Sequence, residues 1–209
     1  QAREGNPLRG ARFMAAFARA AELGGAVGIR ANGVADIRAI RKITSLPILG
    51  INKWRQAHWP VYITPNLQAA RSVRQAGADI IAIDATHRPR RSGTSPEALI
   101  DAIHSHLGCP VMADIDSLEE GIAAARAGAD LVATTLSGYT ERGLTTPGPD
   151  LALVRMLAQA VAVPVICEGR IWSPQDVSAA FEAGAYAVVV GTAITNPMEI
   201  TRRFAAGIP

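Results

Sequence analysis

The chain has 209 residues, of which 49% are hydrophobic and 19% charged, with a net charge of +3. This length suits one sizeable domain with a full core, and the composition is typical of soluble globular proteins. No run approaches 18 consecutive apolar residues, and the opening QAREGNPLRG lacks the apolar core of a signal peptide. Only RPRR, residues 88–91, clusters basic charge, which is too little for a nucleic-acid footprint but fits an anionic small molecule. We therefore expect no nucleic-acid partner and no membrane partner.

The two cysteines, Cys109 and Cys167, are too few and too far apart to form a disulfide framework. No Cys/His pair has the spacing of metal ligands, so we expect no metal. Both observations favour the reducing cytoplasm.

The chain begins with a predicted helix, Arg9–Leu23, and then alternates apolar strands with amphipathic helices. The predicted strands are Gly25–Arg30, Leu46–Asn52, Gly77–Ala85, Cys109–Ile115, Gly128–Leu136, Val163–Gly169 and Gly184–Thr192. The further predicted helices are Val34–Ile43, Asn66–Ala76, Ser95–Leu107, Ser117–Ala127, Leu151–Val161 and Ser173–Ala183. Four strands follow a Gly-Ala pair, in which glycine ends the preceding helix with left-handed dihedrals. The other three open at a proline, where no ladder donor is lost.

Regular alternation of this kind predicts βαβ units and a parallel sheet, and seven strands suggest a (β/α)8 barrel, a TIM barrel, lacking one strand. Because the chain opens with a helix, we expect residues 1–209 to form one barrel domain whose N-terminal strand lies upstream or has been lost. A seven-stranded or open barrel is the alternative.

Charged side chains end several of these apolar strands, where parallel barrels collect their chemistry. They are Arg30, Lys53, Asp84, Asp114 and Glu168. Lys53 is one of two lysines beside 19 arginines, and only a lysine readily gives up its proton. Each residue also has a purely structural reading, as a helix cap or an ion-pair partner. Their occurrence together on one rim favours function.

Glycines in EGRI and VVVGTAIT follow the last two strands, where backbone N–H groups commonly cradle a phosphate. Lys53 and Glu168 are expected to face each other across the barrel mouth, as a base and a carboxyl group. The residues alone therefore predict proton transfer on a small phosphorylated carbonyl compound, which includes isomerases, epimerases and some lyases.

Several motifs resemble those of N-acetylmannosamine-6-phosphate 2-epimerases. They are GGAVGIRANG, IDATHRP, MADI, TTLSGYT, EGRIWSP and AYAVVVGTAIT. The resemblance covers the whole chain. It implies a (β/α)8 barrel, usually a homodimer, that converts N-acetylmannosamine 6-phosphate to N-acetylglucosamine 6-phosphate in sialic acid catabolism without a metal or cofactor.

The resemblance also assigns roles to individual residues. Lys53 matches the catalytic lysine that moves the C2 proton, and Glu168 matches the catalytic glutamate. The substrate-binding residues it implies are Gln1, Arg30, Asp114, Thr135 and Tyr139. The phosphate-binding residues it implies are Gly169, Arg170, Gly191 and Thr192.

Two features depart from the family pattern. Asn196 follows AIT where the family usually has an arginine that helps hold the phosphate, and Arg202 or Arg203 is a candidate replacement. The loop KWRQAHWP, Lys53–Pro60, carries aromatic residues in place of charged ones. A barrel that binds sugar phosphate without turnover, or another phosphate-binding barrel isomerase, is the alternative function.

Overall fold

The structure is a computed structural model and describes residues 5–55, 57–141 and 147–208. The strands β1 to β7 are Ile29–Asn32, Ile48–Ile51, Ile80–Asp84, Val111–Asp114, Leu131–Ala133, Val165–Glu168 and Ala187–Val189. The helices α1 to α9 are Ala11–Leu23, Val34–Arg41, Leu67–Ala76, Pro96–Leu107, Leu118–Arg126, Leu151–Ala160, Pro174–Glu182, Thr192–Thr195 and Pro197–Ala205. None of the described helices combines the length and apolarity needed to cross a membrane.

All strands are parallel, and each pairs with the next one along the chain, in the order β1 to β7. Helices connect the strands, so the chain winds as a βαβ series, as in a TIM barrel. Within the described residues β1 and β7 each have only one strand neighbour, so the barrel is nearly closed rather than fully closed. The predicted fold class is therefore confirmed, with seven strands of a (β/α)8 barrel.

The helix boundaries follow the capping chemistry expected from the sequence. Ser95, Ser117 and Ser173 each accept a hydrogen bond from a backbone N–H in the first turn of α4, α5 and α7. Asp176 completes a capping box with Ser173. At the C-terminal end of α3, Gly77 takes a φ of 111°, a left-handed conformation that is unfavourable for residues with a side chain.

The strands carry two apolar faces because both sides of the sheet are covered. Ile81, Ile83 and Val111 pack outward against the helices in the larger core cluster. Ala82 and Met112, one residue along, belong to a second cluster that fills the barrel interior. The period-2 alternation of the strands thus separates an outer core from an inner one.

The observed strands are shorter than the predicted ones, and three of the differences bear on the site. β1 begins at Ile29 and continues to Asn32, because its ladder with β2 starts at the Ile29–Ile48 pair. The end of the fifth predicted strand, Thr134–Leu136, is a 3-10 helix. The end of the seventh, from Thr192, opens the short helix α8.

Candidate active site

The alternation that fills the barrel interior also places charged residues at its mouth. Leu49 and Ile51 face inward on β2, so Lys53 is the next inward position. The same alternation on β4 carries from Met112 to Asp114, and on β6 from Ile166 to Glu168. On β1, Ile29 and Ala31 pack with the outer core, which leaves Arg30 facing inward. Four of the five residues of the predicted rim are therefore brought to the barrel mouth by β1, β2, β4 and β6.

Arg30 lies at the centre of this cluster and bridges two carboxylates. Its guanidinium donates two hydrogen bonds to Asp114, to Oδ1 at 3.0 Å and to Oδ2 at 2.6 Å. Its Nη1 also lies 2.8 Å from Glu168 Oε2. Burial opposes the charge of Arg30, but the two carboxylates raise its pKa, so the guanidinium stays protonated. Arg30 thus joins β1 to β4 and β6 across the mouth.

Glu168 pairs with the same guanidinium. Its Oε2 is buried 2.8 Å from Arg30 Nη1, which also donates to Asp114 Oδ1. Burial raises the pKa of Glu168 to about 7, with Asp114 acting in the same direction and Arg30 against it. Near neutral pH this carboxyl group can therefore either give or take a proton.

The backbone of Lys53 is fixed from two sides. Its N–H donates to Asn32 Oδ1 at 2.8 Å, and its backbone forms an antiparallel bridge with Ile63. Its ammonium lies 5.9 Å from the centre of the Tyr62 ring. Burial and the positive charge of Arg30 together lower the pKa of Lys53 to about 8, while Glu168 and Asp114 act in the opposite direction. About one tenth of Lys53 is then neutral at pH 7, against a far smaller fraction for an ordinary lysine.

Two further predicted residues lie at this end of the barrel. Thr135 donates its hydroxyl to Asp114 Oδ1 at 2.7 Å, which places it within the Arg30 cluster. Tyr139 is 58% exposed, and the Arg170 guanidinium lies 5.4 Å from its ring centre. Gln1 lies outside the described residues.

Asp84 faces inward next to Asp114 but is held by its own loop. It accepts hydrogen bonds from the Thr86 hydroxyl at 2.6 Å and from Arg88 at 2.6 Å. The IDATHRP motif thus folds into a buried polar turn, and the helix-capping role considered for Asp84 is not observed.

The residues predicted to bind phosphate follow β6 and β7. Gly169 and Arg170 form the turn after Glu168, with φ values of 112° and 55°. Gly191 precedes α8 and Thr192 is its first residue, and both are exposed. The side chain of Arg170 donates to two backbone carbonyls, so its guanidinium is already engaged by the protein.

Asn196, which replaces the arginine of the family pattern, caps α9. Its Oδ1 accepts the N–H of Glu199 at 3.3 Å and the amide of Asn6 at 3.2 Å. Arg202 pairs with Glu199 at 3.1 Å, whereas the Arg203 guanidinium lies over Trp172, 4.4 Å from the ring centre. Of the two candidate replacements, Arg203 is the one beside the loop that follows β6.

No group of three or more His, Cys, Asp or Glu side chains with metal-binding geometry occurs in the described parts of the chain.

Comparison with known proteins identifies the family. The model of the family described as "Putative N-acetylmannosamine-6-phosphate epimerase" matches residues 14–209. The chain belongs to the N-acetylmannosamine-6-phosphate epimerase family. A curated relative from Caldanaerobacter subterraneus subsp. tengcongensis, named "Putative N-acetylmannosamine-6-phosphate 2-epimerase", is 53% identical over 98% of this chain and 86% of its own length.

Solved structures of other proteins support the same family and fold. The N-acetylmannosamine-6-phosphate 2-epimerase from Clostridium perfringens superposes with a TM-score of 0.96 and 44% identity, over 100% of this chain and 90% of that one. A thiamine phosphate pyrophosphorylase from Pyrococcus furiosus superposes with a TM-score of 0.61 at 18% identity, over 90% of this chain and 84% of that one. This second likeness concerns the fold alone.

Sequence reasoning missed the residues that hold the epimerase-family site in place. Asn32 fixes the Lys53 backbone, and the Thr134 hydroxyl contacts both the N–H and the C=O of Glu168 at 3.1 Å. Asn32 lies two residues after Arg30 on the same strand face, so strand alternation was the signal that could have found it. Thr134 stands out as a strand-end residue in the sequence, but its contact with Glu168 could not be predicted, because that contact joins neighbouring strands that are distant in sequence.

Proposed function

We propose that this protein interconverts N-acetylmannosamine 6-phosphate and N-acetylglucosamine 6-phosphate by removing and returning the proton at C2. The observation that carries the proposal is Lys53, a partly buried lysine with a lowered pKa at the mouth of an epimerase-family barrel, with Arg30 and Glu168 in the same cluster. As in the family, the reaction belongs to sialic acid and amino sugar catabolism.

Lys53 is the base in this proposal. The neutral amine takes the proton from C2, which is acidic because C2 adjoins the C1 carbonyl of the open-chain sugar. The electron pair of the broken C–H bond moves into the C1–C2 bond, and the carbonyl oxygen gains negative charge. C2 becomes planar, and a proton from solvent adds to its opposite face, which inverts the configuration. The C1 carbonyl forms again as its oxygen returns its proton to Glu168, and Lys53 releases to solvent the proton that it took.

Glu168 and Arg30 stabilise this charge. A Glu168 carboxyl with a pKa of about 7 is protonated in part of the molecules, and this form can donate a proton to the oxygen at C1. The Arg30 guanidinium remains charged and offers electrostatic stabilisation at the same oxygen. Both groups are already held in place before the substrate binds.

The remaining predicted contacts orient the substrate. We assign the sugar and its acetamido group to Gln1, Arg30, Asp114, Thr135 and Tyr139. We assign the phosphate to the two turns after β6 and β7, formed by Gly169, Arg170, Gly191 and Thr192. Backbone N–H groups in such turns suit an anion, and at Arg170 the backbone is the expected contact, since its side chain is engaged elsewhere.

A homodimer in the cytoplasm completes the proposal, with no cofactor, nucleic acid or membrane partner. The two buried thiols, Cys109 and Cys167, fit a reducing compartment. Exposed apolar side chains such as Phe181 and Tyr186 supply surface that a second copy could cover. Light scattering at two protein concentrations tests the dimer.

Proton NMR in D2O tests the reaction. With N-acetylmannosamine 6-phosphate, we expect the C2 proton signal to disappear while the spectrum of N-acetylglucosamine 6-phosphate grows. The Lys53→Arg variant should bind substrate and lose this turnover, because arginine does not release its proton. Lys42→Arg, at the exposed second lysine, is the matched control and should keep it. Binding without turnover by the unaltered protein would favour a binding-only barrel, and full turnover by Lys53→Arg would refute Lys53 as the base.

A further inference from the structure

Arg170, two residues after Glu168, holds the loop that follows β5. Its Nε donates to the carbonyl of Gly148 at 2.8 Å and its Nη1 to the carbonyl of Ser137 at 2.6 Å. Ser137 and Gly148 stand near the two ends of the connection between β5 and α6. The Arg170 side chain therefore holds both ends of this connection against the turn that follows β6.

The backbone of Arg170 has an unfavourable conformation. Its φ of 55° lies in the left-handed region, which is uncommon for residues other than glycine, asparagine and aspartate. Such a conformation costs energy and persists only where the surrounding contacts enforce it. Two short hydrogen bonds from the guanidinium are contacts of this kind.

The segment that Arg170 holds is also the one that contacts Glu168. Ser137 directly follows the 3-10 helix Thr134–Leu136. Thr134 accepts a hydrogen bond from the Glu168 N–H and donates to its carbonyl, both at 3.1 Å. Thr135 hydrogen-bonds to Asp114, which in turn holds Arg30.

Ser137 is anchored at a second point as well. It is buried, and its hydroxyl donates to Asp150 Oδ2 at 2.6 Å. The other oxygen of Asp150 caps α6 by accepting the N–H of Leu153 at 3.0 Å. Arg170 thus binds a segment that is fixed to α6 at one end and to Glu168 at the other.

We propose that the Arg170 side chain is a positioning group for Glu168. It holds the end of β5 against the end of β6 through its hydrogen bonds to the carbonyls of Ser137 and Gly148, and we call this pair of hydrogen bonds the clasp. This inference rests on the proposed function and deepens it. The phosphate of the substrate then meets only the backbone of Arg170, and the guanidinium is not a phosphate ligand.

The Arg170→Gly variant tests the clasp without adding backbone strain, because glycine adopts a positive φ readily. We expect kcat to fall about tenfold to 100-fold while KM changes less than threefold, since Glu168 is misplaced but the phosphate contacts remain. Inhibition by inorganic phosphate should be unchanged within twofold. Arg170→Lys, which can still donate to one carbonyl, should recover part of kcat.

Arg71→Gln removes one exposed positive charge from α3 and serves as the control. If the unaltered protein and this control both turn over the sugar phosphate, the proposed function holds, and the Arg170 variants then report on the clasp alone. A kcat unchanged in Arg170→Gly would overturn the clasp. A phosphate inhibition constant raised tenfold or more would instead make the guanidinium a phosphate ligand.

Hydrogen exchange tests the clasp independently of activity. The Glu168 amide, whose N–H is bound by Thr134, should exchange at least tenfold faster in Arg170→Gly than in the control. Exchange at the unaltered rate would show that Arg170 does not hold this contact, whatever the protein's reaction.

Discussion

Replacing Glu168 with glutamine should stabilise the protein at pH 8 while abolishing efficient epimerisation. Burial raises the pKa of the Glu168 carboxyl from its ordinary 4.5 to about 7, despite the Arg30 guanidinium 2.8 Å away. The folded protein therefore holds this proton more tightly than the unfolded chain does. As the pH rises from 4.5 to 7, the unfolded chain ionises first, and the contribution of Glu168 to folding stability falls.

The size of the effect follows from this difference in pKa. This difference corresponds to about 3 kcal/mol once Glu168 is ionised in both states, and most of it develops between pH 5 and pH 8. Glutamine has nearly the same shape and never ionises, so Glu168→Gln should gain about 2 to 3 kcal/mol in free energy of unfolding at pH 8 relative to its value at pH 5.

Urea unfolding at pH 5 and pH 8, on the unaltered protein and the variant, measures this difference. Glu182→Gln, at an exposed position on α7, removes the same charge and should show no such dependence on pH. An equal difference between Glu168→Gln and the unaltered protein at both pH values would refute the reasoning, because it would mean that burial does not perturb this carboxyl.

Three other measurements follow from the structure. Because the proposed base Lys53 has a pKa of about 8 and the proposed acid Glu168 a pKa of about 7, kcat/KM should rise about tenfold per pH unit below pH 7 and fall about tenfold per pH unit above pH 8; a rise that continues to pH 10 would contradict this. Gly121→Ala places a Cβ 2.3 Å from Leu157 Cδ2, so overpacking should outweigh the gain in helix propensity and cost about 1 to 2 kcal/mol in urea unfolding. Ser173→Ala removes the capping box and should lower the free energy of unfolding by about 1 kcal/mol in the same assay. An unchanged free energy of unfolding would contradict this.

The fold could be predicted because its signals are local and repeated. Each Gly-Ala or proline opening marks a strand, and each serine N-cap marks a helix, so the order of the elements could be read along the chain. The register of β1 could not, because its start is set by pairing with β2. A ladder is a contact between distant segments, and a single segment does not encode where it begins.

In the candidate site, too, some features could be predicted from the sequence and others could not. Lys53, Asp114 and Glu168 stand at strand ends, and parallel strands bring those ends together, so their shared location could be predicted. The contacts of Arg170 with Ser137 and Gly148 could not, and the family resemblance assigned Arg170 to the phosphate end of the site instead. Which acceptor an arginine finds depends on the course of a loop, and the sequence pattern does not fix that course.

The arrangement around Arg30 explains how a carboxyl beside a guanidinium keeps a raised pKa. Asp114 is fully buried and takes two hydrogen bonds from Arg30. Glu168 gains Coulombic attraction from the same guanidinium, but this attraction does not offset the desolvation of its carboxyl group. The positive charge of Arg30 meanwhile helps keep Lys53 neutral. Burial thus favours a protonated acid at Glu168 and, together with the charge of Arg30, a neutral base at Lys53, and this is the pairing that proton transfer at C2 requires.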